Sequence, residues 1–150
     1  APWYEIADAL PRSDAYPPGF EAPIVADRVL AARPAGRTRG GCQCGAVRYE
    51  VAADISDVIS CNCSRCRRLG SLLAAASASD FKLIAGADAM TDFQFNKHAI
   101  HHPFCSTCGI QSYAYGKGPG GKDMVMINVR CLDGVDADQF RVMKFDGASM

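Results

Sequence analysis

Beyond residue 38 the chain is a succession of short stretches in which apolar and polar side chains alternate, each soon stopped by glycine or by small polar residues. Ala46-Val47-Arg48-Tyr49-Glu50-Val51 sets small or apolar against polar side chains with a period of two. That pattern predicts a half-buried strand, because successive strand residues point to opposite faces. The same reading predicts strands at residues 58–60, 72–78, 91–98, 110–115, 124–129 and 140–145, and a turn plus short strand at 80–86. Residues 64–69 predict one helical turn, with Ser64 as its cap and Gly70 as its end. Gly40-Gly41-Cys42-Gln43-Cys44-Gly45 predicts a turn between two strands, and residues 116–121 a glycine-rich hairpin loop. Many short strands punctuated by turns predict a mainly β domain over residues 38–150.

Residues 1–37 break the pattern. The first forty residues hold six of the eight prolines and none of the eight cysteines. Trp3, Tyr4, Ile6 and Leu10 predict one helical turn that docks on a core, and Pro11, Pro17 and Pro18 interrupt any regular element after it. Residues 22–39, with Pro23, Pro34 and Gly36, read as a linker with a helical turn at 27–32. Arg28, Arg33, Arg37 and Arg39 read as a solvated face rather than a nucleic-acid arm. Residues 1–37 are therefore expected to be tail and linker.

Composition narrows the function classes. A chain of 150 residues with 49% hydrophobic residues can bury one ordinary core. Sixteen basic and sixteen acidic residues cancel, which removes any global electrostatic case for a nucleic-acid or acidic-membrane partner. No apolar run reaches transmembrane length, and no basic-then-apolar leader is visible. The first residue is Ala1 rather than Met, so the chain is expected to be processed or to belong to a longer polypeptide. Eight cysteines in tight clusters favour metal over a disulfide framework, and with it a cytoplasmic location.

The densest cluster is Cys61-Asn62-Cys63-Ser64-Arg65-Cys66. A C-x-C pair is too tight for an unstrained disulfide. Three thiolates converging on one soft cation, zinc in particular, explain the spacing better, and they leave a fourth corner for a distant residue, water or substrate. Cys42-x-Cys44 and Cys105-x-x-Cys108 are two further thiol-bearing turns, each flanked by a glycine, Gly45 or Gly109, that lets backbone amides approach sulfur. Together they can complete a closed site of four thiolates, whose role is to hold the fold together. The pairing of turns is not unique from spacing, and a triad residue could exchange with either pair. This assignment is preferred because it leaves a coherent open triad.

Other chemistry-bearing residues admit plainer readings. Cys131 stands alone and reads as a buried structural thiol. In one continuous strand His98 and His102 would share a face, with His101 opposite. Any of these histidines could ligate metal or act as an acid, but a packed, hydrogen-bonded ring is the commoner case. Arg65, Arg67 and Arg68 would either stabilise thiolates and receive a carboxylate or form a solvated turn. Gly116-Lys117-Gly118-Pro119-Gly120-Gly121-Lys122 lacks the order of a phosphate loop and reads as a turn.

Three stretches in order, Gly41-Cys42-Gln43-Cys44-Gly45-Ala46-Val47-Arg48-Tyr49, Cys61-Asn62-Cys63-Ser64-Arg65-Cys66-Arg67 and Phe104-Cys105-Ser106-Thr107-Cys108-Gly109-Ile110, resemble the glutathione-dependent formaldehyde-activating enzyme family, which includes centromere protein V. His102-Pro103-Phe104-Cys105 and Asn128-Val129-Arg130-Cys131-Leu132-Asp133-Gly134 look most like its centromere-protein-V-like bacterial branch. The resemblance spans roughly residues 39–147. It implies a β-tent fold of several coiled antiparallel sheets built around zinc knuckles. It implies two zinc ions, one structural on Cys42, Cys44, Cys105 and Cys108 and one catalytic on Cys61, Cys63 and Cys66. It also implies a carbon–sulfur lyase of the S-(hydroxymethyl)glutathione synthase type, joining a glutathione-like thiol to a small aldehyde such as formaldehyde.

Ala1-Pro2-Trp3-Tyr4-Glu5-Ile6-Ala7-Asp8-Ala9-Leu10-Pro11 looks like the carboxy-terminal tail of another branch of the same family. The expectation is a tandem protein in which a preceding homologous domain ends here. Two other classes remain as alternatives. One is a non-enzymatic, zinc-stabilised binding module of the centromere protein V type, with the triad closed by His98, His102 or Cys131. The other is a thiol redox enzyme with a Cys61–Cys66 disulfide.

Overall fold

The computed structural model of the chain describes residues 36–150. The expected amino-terminal tail, with its turns at 3–10 and 27–32, lies outside the described residues. Ten strands and one short α-helix, linked in places by single 3-10 turns, follow in order among the described residues. They are β1 Thr38–Gly41, β2 Arg48–Val51, β3 Asp57–Cys61, α1 Cys66–Leu69, β4 Leu73–Ser77, β5 Phe81–Ala85, β6 Met90–Phe93, β7 Ile100–Cys105, β8 Tyr113–Lys117, β9 Asp123–Asn128 and β10 Arg141–Phe145.

The strands form a three-stranded sheet, β1-β2-β5, and a seven-stranded one, β10-β3-β4-β9-β8-β7-β6. Neither closes on itself, and the Cys42–Cys44 turn of the first meets the Cys105–Cys108 turn of the second: this is the mainly β, tent-like architecture expected. Alternation does what it predicted on β2, where Tyr49 and Val51 are 1% and 0% exposed while Arg48 and Glu50 reach the surface side. On β4 the same period buries Ala74 and Ala76 between exposed neighbours, which decides strand over helix for the alanine run. The core joins the two sheets. Tyr49 packs its ring 5.1 Å from Phe81 and 5.7 Å, edge-on, from Tyr113, and its hydroxyl donates to the Ser112 carbonyl.

Four expectations need correction. Residues 91–98 are not one strand: β6 stops at Phe93, and the chain reverses through Asn96 and His98, both at positive φ, before β7 starts at Ile100. His98 and His102 consequently do not share a strand face. Residues 110–112 are not strand, because the Ile110 carbonyl closes the Cys105 turn, and β8 begins only at Tyr113. Ser64 does not cap α1; Arg65 occupies that position with no side-chain cap. Gly70 ends the helix in the left-handed conformation, as expected. Finally, the sheets are not all antiparallel. β10 runs parallel to β3 in the register Arg141↔Asp57 to Phe145↔Cys61. A parallel neighbour requires a long crossover, here most of the domain, and this pairing delivers the last residues of the chain to the Cys61 end of β3.

Candidate metal centres

Cys42 and Cys44 lie in the turn between β1 and β2. Cys105 ends β7, and Cys108 lies in the turn that follows. The four Sγ atoms lie within 4.8 Å of one another. Each turn is drawn tight by its own backbone: Cys42 N–H donates to Val47 O, Cys105 N–H to Ile110 O and Gly109 N–H to Cys105 O. Gly45 at φ 84° and Gly109 at φ 77° supply the left-handed residue that such turns need. Sγ of Cys42 is 3.5 Å from that of Cys44, which is 3.6 Å from that of Cys105. Four sulfurs at zinc–sulfur bonds of about 2.3 Å would sit about 3.8 Å apart in a tetrahedron, so the cradle has the size of that ion.

The electrostatics match an anion-rich cluster. The amides of Ile110 and Cys44 draw the Cys108 thiol down to about 6. The amides of Cys108 and Thr107 also lower Cys105. The Ala46 amide pulls Cys44 down as well, but Cys42, burial and Cys105 outweigh it and raise Cys44 to about 11. Like charges so close cannot all ionise unaided, and a dication resolves the conflict.

The second group is Cys61, Cys63 and Cys66, again with all Sγ atoms within 4.8 Å of one another. Cys61 ends β3, Cys63 lies in the turn and Cys66 opens α1. The Cys63 amide donates to Cys61 Sγ at 3.4 Å and the Cys66 amide to Cys63 Sγ at 3.4 Å. Burial works against ionisation of Cys63, but the amides of Cys66 and Arg65 prevail and its thiol is lowered. Burial, then the neighbouring Cys63, pushes Cys66 up to about 12. Among the described residues no further His, Cys, Asp or Glu joins this group. His98 lies in the β6–β7 turn. His102 is 9% exposed, hydrogen-bonds Phe93 O through Nδ1 and packs against Phe95. Cys131 is half-buried, raised by burial to about 11, and belongs to neither group.

Two features around the triad had no signal in local sequence. The chain end folds over it: Asn62 N–H donates to Phe145 O at 3.2 Å, Asn62 Nδ2 to Asp146 Oδ1 at 2.8 Å, and Ala148 N–H to Asn62 Oδ1 at 2.9 Å. Gly147 then lies so close that a Cβ on it would be 2.5 Å from Cys61 Sγ. Beside the triad opens a cavity of about 600 Å³ whose wall includes Cys61 and Cys66. Ser71, 6% exposed, lines it, and its hydroxyl lies against the Cys66 thiol, where it favours the ionised form.

The three arginines of the motif divide by use. Arg65 Nε donates to Gln111 Oε1 at 2.8 Å, and its guanidinium lies 4.7 Å over the Phe93 ring. Arg68 turns back onto Ser64 O at 2.7 Å. Arg67 lines the cavity.

Comparison with known proteins follows this geometry. The family model for the glutathione-dependent formaldehyde-activating enzyme matches residues 37–144, a stretch containing both thiol groups. The chain belongs to that family. A crystal structure of a Rhodobacter sphaeroides protein, a structural genomics target, is similar at 33% identity and a TM-score of 0.61, covering 70% of this chain and 99% of that one. The matched stretch contains all seven cysteines of the two groups. Among the described residues no helix is long and apolar enough to cross a membrane.

Proposed function

We propose that this chain is a zinc-dependent carbon–sulfur lyase that joins a glutathione-like thiol to a small aldehyde such as formaldehyde. Cys61, Cys63 and Cys66 are its catalytic zinc ligands, and Cys42, Cys44, Cys105 and Cys108 hold a structural zinc. The observation that carries the reading is the contrast between the two groups: one has four sulfurs, the other three and a cavity against its wall. An all-thiolate donor set at tetrahedral spacing favours zinc.

Held by Cys61, Cys63 and Cys66, zinc would supply the positive charge that favours the deprotonated form of a substrate thiol at neutral pH. The residues around it do the remainder. The Cys63 and Cys66 amides donate to the triad sulfurs and moderate their negative charge. Cys61 and Cys66 line the cavity, where a thiol and an aldehyde could be held side by side. Asn62 fastens residues 146–148 beside the triad, at the rim of the same cavity. In the overall step a sulfur–carbon bond forms while the carbonyl π bond breaks, and the thiol proton ends on the new hydroxyl oxygen. The reverse reaction breaks the carbon–sulfur bond.

The binding-module alternative needs a closed triad, and His98, His102 and Cys131 do not join it among the described residues. Elemental analysis and adduct formation test the proposal together. Wild type is expected to carry two zinc ions per chain and to accelerate adduct formation from glutathione and formaldehyde. Cys63→Ser is expected to keep one zinc and lose the acceleration. Equal acceleration by the two proteins would overturn it.

A further inference from the structure

The two cysteine groups are built from different turns of the chain, yet one side chain ties them together. Arg65 stands inside the triad motif, between Cys63 and Cys66. Its main chain serves the triad directly. The Arg65 amide donates to the Cys63 sulfur. Its carbonyl accepts from Arg68 N–H and Leu69 N–H at 3.0 Å each, which starts α1 and so places Cys66. Its side chain leaves the motif: Nε donates to Gln111 Oε1 at 2.8 Å, and the guanidinium lies 4.7 Å over the Phe93 ring. Both contacts land on the part of the fold that carries Cys105 and Cys108. Phe93 ends β6, which pairs with β7 in the register Met90↔Cys105 to Phe93↔His102. Gln111 follows Ile110, whose amide donates to the Cys108 sulfur and whose carbonyl accepts from Cys105 N–H at 3.0 Å. Gln111 is itself 9% exposed, and its carbonyl accepts from Asn128 Nδ2 at 3.4 Å. Among the described residues, Arg65–Gln111 is the one hydrogen bond between residues 61–66 and residues 104–112. Closing the Cys105–Cys108 turn thus fixes the residue that aims Arg65.

We propose that Gln111 is a positioning residue for the triad: by holding Arg65 it sets the triad turn against the Cys105–Cys108 turn, so that the zinc affinity of Cys61, Cys63 and Cys66 depends on a side chain outside both cysteine groups. The inference rests on both groups holding zinc. Partners that orient metal ligands are worth about 10–100-fold in affinity, and Gln111, one bond further out, belongs at the lower end. Phe93 contributes less, because its ring is 44% exposed and a cation over an exposed ring is worth about two- to fivefold.

Cadmium-113 magnetic resonance of the full chain, loaded with cadmium in place of zinc, reads the two groups separately, because four-sulfur and three-sulfur ions resonate at different fields. Gln111→Leu keeps the volume and removes the acceptor. It is expected to shift or broaden the three-sulfur signal, to leave the four-sulfur signal in place, and to weaken zinc at the triad about tenfold in chelator competition. Gln111→Glu restores an acceptor for Arg65 and should keep wild-type affinity. Phe93→Leu, at an exposed position that the fold tolerates, should weaken the triad about two- to fivefold. Arg65→Met combined with Gln111→Leu should cost no more than Arg65→Met alone, since both remove the same contact. Wild-type triad affinity in Gln111→Leu and Phe93→Leu overturns the coupling. So do losses that add in the double variant, or equal disturbance of both cadmium signals by Gln111→Leu. A wild-type chain with only the four-sulfur signal sinks the proposed triad zinc itself, a failure visible before any variant is made.

Discussion

Replacing Gly147 by alanine sets the carboxy-terminal segment against the triad, and magnitudes decide which gives way. The added Cβ would lie 2.5 Å from Cys61 Sγ and 3.3 Å from Cys63 Cβ. Unstrained contact between such atoms needs roughly 3.5–4.0 Å, so one side must move by about 1 Å. A sulfur displaced that far leaves the tolerance of about 0.2 Å that zinc coordination allows, putting at risk a binding free energy of about 10–16 kcal/mol. Moving the tail instead forfeits the three bonds that Asn62 organises, at 3.2, 2.8 and 2.9 Å. Exposed hydrogen bonds are worth about 0.5–1.5 kcal/mol each, and freeing the segment returns part of that as chain entropy. The tail should therefore yield. The expected result is an unchanged zinc content, a stability loss of no more than about 2 kcal/mol, and fast hydrogen exchange at the Ala148 amide. Elemental analysis with native-state exchange reads both sides at once. Loss of one zinc with Ala148 protected as in wild type would refute the reasoning.

Two further perturbations separate the remaining parts. Cys108→Ser removes a sulfur of the group proposed to hold the structural zinc, and because such a metal's binding energy is comparable with a domain's whole stability of about 5–15 kcal/mol, the domain should unfold. Circular dichroism showing native β signal and wild-type melting for this variant would contradict a structural role. The His102 ring is held below the ordinary histidine value of 6.5 first by burial, with nearby Arg65 adding to the effect. Its stabilising contribution is fully present above pH 6.5. Below that the unfolded chain takes up a proton the folded ring resists, so stability falls as pH drops through the depressed folded value, with a slope no steeper than about 1.4 kcal/mol per pH unit. Chemical denaturation at stepped pH should show a flatter acid limb for His102→Gln; identical limbs would mean that other groups carry the acid response.

The sequence by itself determined whatever is encoded within a turn or a strand. The spacing C-x-C, C-x-x-C and C-x-C-x-x-C fixes which sulfurs can converge locally, and Gly45, Gly70 and Gly109 mark the left-handed residues that make those turns. Period-two alternation picked out the buried Tyr49 and Val51 because a pleated backbone sends alternate side chains to opposite faces. Alternation misled at residues 91–98, where hydrophobic spacing carries no trace of the positive φ at Asn96 and His98 that turns the chain back. Other features were decided only by pairing across long stretches of chain. Which two thiol turns meet depends on β1–β2 and β7 packing at the same joint. The covering of the triad depends on β10 lying parallel to β3, more than eighty residues earlier in sequence. Gln111 meets Arg65 from yet another element, the segment before β8. Spacing and periodicity are short-range properties, whereas contacts of this kind join side chains that only the tertiary fold brings to one place.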